Sequence, residues 1–178
     1  MTADNTRYPI LVYTDALIAV ANSSLWAQLT DHIGLTTTNV CKQELKRHVE
    51  NTRETAPEGS RPYRLYHGSR AALKALEDAE IPITQVTSVP RLHGADAGEE
   101  SLRQEVRQNP DAVDYVILVD AAGRRPIRCA VDDQDEEIRV VTPPFLFYIL
   151  YDNDLISRRE FREACGELLE REGLSNCY

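Results

Sequence analysis

Apolar and polar positions alternate along the chain in blocks that predict strands and helices in turn. Ile10 to Thr14 is a short apolar run closed by Asp15, and Ala16, Leu17, Ile18, Ala19 and Ala21 then favour a helix. Leu25, Trp26, Leu29 and Ile33 fall on one helical stripe, with Ser23-Ser24 expected as its N-cap and Gly34 as its stop. Leu35 to Thr38 reads as a strand, followed by a helix capped by Asn39 that carries Glu44, Leu45 and His48. Asn51 to Pro62 reads as a polar loop, Ser69 to Ala79 as a helix, and Ile81 to Val89 as a strand. After a loop from Arg91 to Ala97, a helix starts near Gly98 and stops before Pro110.

Val113 to Val119 is the run best suited to a strand buried on both faces, and it ends at Asp120. A helix is expected between Ala121 and Val131, with Pro126 in its first turn. Ile138 to Val141 is the last strand, Pro143-Pro144 opens a helix through Leu150, and Ser157 with Glu160 makes a capping box for a final helix toward Gly173. Strands and helices alternate throughout. This predicts an α/β chain with a central, mostly parallel sheet covered by helices on both faces.

At 178 residues and 42% hydrophobic content, one domain spanning 1–178, with its core at about 8–173, is the expected organisation. Acids outnumber bases 29 to 20, a formal charge of −9, which speaks against a broad basic nucleic-acid footprint and makes any RNA contact local. The acid excess also suits a soluble protein in a salty cytoplasm. Cys41, Cys129, Cys165 and Cys177 have no C-x-x-C spacing and no histidine pair has helical ligand spacing, so structural zinc is not expected. No run is apolar enough for a membrane span or a signal peptide, and a cytoplasmic protein with reduced thiols is expected. Phosphate-loop, dinucleotide and serine-elbow motifs are all missing, and Asp133, Asp135 and Glu137 read as a solvated turn. Phe145, Phe147, Tyr148 and Tyr151 read as core or homodimer packing, and Trp26 as core.

In open α/β sheets ligands bind beyond the carboxyl ends of the strands, so acids placed there carry the most functional weight. Asp15 and Asp120 each follow a strand, Glu44 lies in the helix after the second strand, and Glu99 opens the helix before the fourth, with Glu100 as second choice. For Glu44 alone a solvated helix face reads as well, and for Glu99 a helix-capping role is the rival. Asp15 interrupts an apolar segment, where an unpaired charge is costly unless it serves a purpose. Converging carboxylates hold a cation, and all-oxygen ligation favours Mg²⁺ or Mn²⁺ over zinc. Arg124, Arg125 and Lys46 are the candidates for contacting a substrate phosphate, with ordinary surface charge as the alternative.

These stretches resemble the PIN domain family. Ile10-Leu11-Val12-Tyr13-Thr14-Asp15-Ala16-Leu17-Ile18-Ala19 is similar to its opening motif, Val40-Cys41-Lys42-Gln43-Glu44-Leu45 to its second-acid motif, and Gly98-Glu99-Glu100-Ser101-Leu102 to the Gly-Glu variant of the third. Asp114 to Asp120 with Ala121-Ala122-Gly123-Arg124-Arg125 is similar to the fourth acid and its trailing arginine, and Val140 to Leu146 to the tail of these domains. The resemblance implies a three-layer α/β/α sandwich and Mg²⁺- or Mn²⁺-dependent cleavage of RNA by Asp15, Glu44, Glu99 and Asp120. It also implies a prokaryotic toxin with an antitoxin protein as partner. Leu17 stands where many members carry a small polar residue, and Val119 where an acid is frequent. A noncatalytic PIN-like interaction module is therefore the alternative reading.

Overall fold

Strand β1 (Pro9–Val12) lies at the centre of a sheet whose five strands run in the order β3-β2-β1-β4-β5, every neighbouring pair parallel. The other strands are β2 (Gly34–Thr38), β3 (Ile83–Thr84), β4 (Tyr115–Ile117) and β5 (Arg139–Val141). The structure is a computed structural model that describes residues 9–52, 55–87, 97–119, 121–132 and 138–172, with the backbone alone for 121–126 and 171–172. Among these residues the helices are α1 (Thr14–Ala21), α2 (Trp26–His32), α3 (Asn39–Asn51), α4 (Arg61–Asp78), α5 (Ala97–Gln108), α6 (Ala121–Asp132), α7 (Pro144–Asp152) and α8 (Arg158–Glu172). The architecture is the expected α/β/α sandwich, with a sheet that is wholly parallel.

The period of two in β1 and β4 divides the apolar side chains between two cores. Ile10 and Val12 join Ile117 on one face, packed against α1, α2, α4, α7 and α8 through Leu17, Leu29, Ala72, Leu146, Phe147 and Leu168. Leu11 joins Val116 and Leu118 on the other face, packed against α5 and α6 through Leu102, Val106, Ile127 and Val131. Val116, Ile117 and Leu118 are fully buried, as a strand covered on both faces requires. The backbone pairing also runs past the ends of β4, since Asp114 N donates to Pro9 O and Leu118 N to Val141 O.

Several local expectations shift, some by a single position and one by more than two turns. Thr38, not Asn39, caps α3 by accepting the Cys41 N–H at 3.1 Å, which frees Asn39 to clasp the backbone of Val86 beside β3. Neither Ser23 nor Ser24 caps α2: the Ser23 hydroxyl turns back to Val20 O, and Leu25 holds the cap position without a side-chain bond. Helix α4 begins eight residues before the expected start, because Pro62 sits in its first turn, where a missing N–H costs nothing, and Ser60 caps it. Pro126 is the reverse case, lying in the middle of α6 rather than its first turn. The pairing of β3 is confined to Ile83 and Thr84, and residues 88–96 and 133–137, which include most of the expected loop and the expected solvated turn, lie outside the described residues. The Ser157–Glu160 capping box forms in both directions, at 2.7 and 3.2 Å. Phe147 is buried, Trp26 is half-buried at the core's edge, and Tyr148 and Tyr151 are exposed. Among the described residues no helix is long and apolar enough to cross a membrane.

Close approach of α4 to α1 depends on Gly68. A Cβ there would come within 2.5 Å of the Ile18 Cγ2 methyl, on a β-branched side chain with little rotamer freedom. Alanine gains about 1 kcal/mol of helix propensity, but the overpacking costs about 1 to 3 kcal/mol. Gly68→Ala is therefore expected to lower the thermal midpoint, and an unchanged or higher midpoint would show that α4 and α1 can separate at no cost.

Candidate active site

The strand order reverses between β1 and β4, so the crossovers leave a crevice at the carboxyl ends of these two strands. Tyr13 lies at its base. Its N–H donates to Ile117 O at 2.9 Å, extending the β1–β4 ladder by one residue, and its carbonyl accepts the Leu17 N–H at 2.8 Å, opening α1. The chain thus passes from strand to helix within one residue, and Thr14 and Asp15 fall in the first turn of α1. An acid there is favoured by the helix dipole. Asp15 is half-buried, and its two carboxylate oxygens share the Val119 N–H at 3.2 and 3.1 Å, which ties the start of α1 to the end of β4.

Glu44 is held from two sides. The buried Thr14 hydroxyl donates to its Oε2 at 2.6 Å, and the Gly98 N–H in the first turn of α5 donates to its Oε1 at 2.9 Å. Helix α3 presents Glu44 there because its start is fixed by Thr38, whose hydroxyl also bonds Ser101 of α5 at 2.7 Å. Gly98 has no room for a side chain: a Cβ would lie 2.6 Å from Tyr13 Cε2 and 2.8 Å from Glu44 Cδ. Glu99 follows in the same turn and is half-buried. Glu100 is paired with Arg103 at 2.8 Å on its own helix.

The Tyr13 phenol lies within electrostatic reach of these acids. Its pKa is pushed far up from the usual 10.0, first by burial and then by the charges of Glu44, Glu99, Cys41 and Asp15. Three of the four sequence-selected acids therefore bear on one side chain. Asp120 lies outside the described residues, as do the side chains of Arg124 and Arg125; its chain neighbour Val119 is the residue bonded to Asp15. Lys46 is exposed, and two residues along a helix is about 200° of rotation, so it stands on the side of α3 away from Glu44.

Could these residues hold a cation? Among the described residues no group of three His, Cys, Asp or Glu stands close enough to form a metal cage. The donors are nonetheless carboxylate oxygens, and those of Asp15 and Glu44 are oriented by a fixed N–H or O–H. That fits Mg²⁺ or Mn²⁺, since a small hard cation keeps several waters and takes only one or two carboxylates directly. Thr14 and the Gly98 N–H were not singled out from sequence. A hydroxyl beside an acid in an apolar segment is the one signal that pointed to the first.

A family model described as a Halobacterial PIN domain matches residues 1–178, the whole chain. The chain belongs to that family. No curated protein and no solved structure matches it. Membership makes it a nuclease-type domain of a kind that generally uses divalent metal ions, with RNA as the indicated substrate class.

In this PIN domain two groups give direct tests of the crevice. Gly98→Ala would drive a methyl against Tyr13 and the pinned Glu44 carboxylate, and is expected to cost about 1 to 3 kcal/mol, read by denaturant unfolding. Wild-type stability would mean that Glu44 is free to move aside. For Tyr13 the unfolded chain loses the phenolic proton near pH 10, while the native chain keeps it. Above that pH the unfolded state binds fewer protons, so stability falls as pH rises. Phenolate absorbance should show the Tyr13 phenol ionising only on unfolding, and Tyr13→Phe should remove that late step.

Proposed function

We propose that this PIN domain is a divalent-metal-dependent endoribonuclease whose Asp15, Glu44, Glu99 and Asp120 carboxylates hold the cation directly or through water. The observation that supports the reading is that Asp15, bonded to the Val119 N–H, and Glu44, bonded to Thr14 and the Gly98 N–H, are both oriented at the carboxyl ends of β1 and β4, where the strand order reverses. When bound, a hydrated divalent cation supplies an acidified water and positive charge against the leaving oxygen of a phosphodiester. The chain's own part is orientation. The Val119 N–H fixes the Asp15 carboxylate, and Thr14 with the Gly98 N–H fixes Glu44, so both acids face the substrate without reorganising. Arg124, Arg125 and Lys46 are assigned to phosphate contacts, although Lys46 reaches the crevice only around α3.

The same reading makes the protein a cytoplasmic toxin of a toxin–antitoxin pair, working as a homodimer. The exposed Tyr148, Tyr151, Leu155 and Leu169 of the α7–α8 region support an interface there. A noncatalytic interaction module is the second reading, favoured by the lack of a three-acid cage among the described residues.

Incubation with RNA and Mn²⁺ should give cleavage that EDTA abolishes and that Asp15→Asn lowers about a hundredfold or more. Cleavage unaffected by Asp15→Asn would refute the assignment of that residue. Calorimetry separates the two readings, because no heat from millimolar Mn²⁺ would favour the module.

A further inference from the structure

We propose that the solvent face of α4 is a docking track for single-stranded RNA, a proposal that rests on the RNA-directed reading above. Residues 61–74 contain Arg61, Arg64, Arg70 and Lys74 and no acid, in a chain where acids outnumber bases 29 to 20. The buried face of α4 is Ser69, Ala72 and Leu76. The opposite face is therefore Tyr63, His67, Arg70 and Lys74, at positions i, i+4, i+7 and i+11, with Arg64 and Tyr66 on its shoulders. The stripe is about 16 Å long at 1.5 Å per residue.

Its chemistry matches a nucleic-acid strand and not merely an anion. The Tyr63 and His67 rings lie 4.2 Å apart between centroids at 45°, and the Tyr66 ring meets His67 edge-on at 5.0 Å and 82°. All three rings are half-buried, leaving area on which bases can stack, while the cations beside them suit phosphates. Charge complementarity selects the occupant: an acid-free stretch carrying four cations, on an acidic chain, is a place where phosphates meet less repulsion than over the chain at large. Of the acids at the end of α4, Glu77 lies to one side, while Asp78 continues the same face, pairs with Lys74 and, with Asp31 of α2 beside it, marks the end of the track.

The track also lies near the crevice. The inner face of α4 packs on α1 at Gly68 and on α3 at Ser69, whose hydroxyl sits 3.2 Å from His48 Nδ1, one helical turn beyond Glu44. A strand on the outer face is then about one helix diameter, roughly 10–12 Å, from the helix that carries Glu44. At high salt the stacking rings matter most, since the Debye length falls to about 3 Å at 1 M and charge attraction fades.

The test is fluorescence anisotropy of a labelled single-stranded oligoribonucleotide in EDTA, so that no cleavage occurs, across a KCl series. Tyr63→Ala with His67→Ala should weaken binding roughly fivefold or more at every salt concentration. Arg64→Glu with Lys74→Glu, both exposed and removable without harm to the core, should weaken it and flatten the log affinity against log salt slope by about 0.7 for each phosphate no longer neutralised. Polyglutamate should displace the RNA poorly; displacement as effective as by unlabelled RNA would mark a protein-docking surface and overturn the proposal. Wild-type affinity and slope in both double variants would overturn it too, and if the wild type still cleaves RNA the nuclease reading stands alone. Loss of binding in the variants of a protein that never cleaves keeps the track and removes the nuclease reading.

Discussion

The Glu44 carboxylate is the constraint on which the candidate site depends. It joins three helices at one point, accepting from Thr14 of α1 and Gly98 of α5 while anchored in α3. Hydrogen bonds to a charged group contribute about 1.5 to 3 kcal/mol each, and a buried donor left without its acceptor costs about 1 to 3 kcal/mol. Losing this carboxylate would therefore orphan the buried Thr14 hydroxyl and the Gly98 N–H together. The bond also explains the small residue at Gly98, since α5 can bring its backbone N–H to Glu44 only if nothing projects toward Tyr13. Glu99, one residue on, is carried into the same first turn of α5 by that approach.

The sheet order explains why the acids meet there. From β1 the chain first builds outward through β2 to β3, then returns past its start to build β4 and β5. Parallel strands send every crossover from the same edge, so the reversal between β1 and β4 opens a gap between crossovers that leave in opposite directions. Asp15 closes part of that gap by bonding to Val119. The bond links the two central strands at their ends and places the chain neighbour of Asp120 against the first acid. On the proposed reading this is where a phosphodiester enters, and the like charges of Asp15 and Glu44 at one end of the sheet are a cost that a cation would relieve.

Elements specified by neighbouring residues were legible in the sequence, and contacts between distant segments were not. The apolar run around Val116 and Ile117, the stop of α5 ahead of Pro110 and the Ser157–Glu160 box are all local, and all form as expected. Proline was the ambiguous sign, because Pro62 starts a helix where a loop was expected and Pro126 sits inside one. At the site, Asp15 was legible as a charge in an apolar segment. The partners of Glu44 lie 30 and 54 residues away in sequence, and nothing local distinguishes it from a solvated helix acid. Only folding brings Thr14 and Gly98 to it, and that removes the surface reading which its flanking lysines favoured.

An acidic chain that acts on RNA has to solve an electrostatic conflict, and the distribution of its charges shows how. With a net charge of −9, the chain as a whole repels a phosphate backbone at low salt. At molar salt the conflict shrinks, because a Debye length of about 3 Å leaves only contacting charges to be felt. What then decides binding is local: which face lacks acids, and whether it offers interactions that salt does not screen. The outer face of α4 meets both conditions over residues 61–70, ahead of the Lys74–Asp78 pair, with arginines in an acid-free stretch and rings between them. The crevice meets neither condition, since carboxylates line it. Binding and chemistry would then be divided between adjacent surfaces, with α3 as the wall between them.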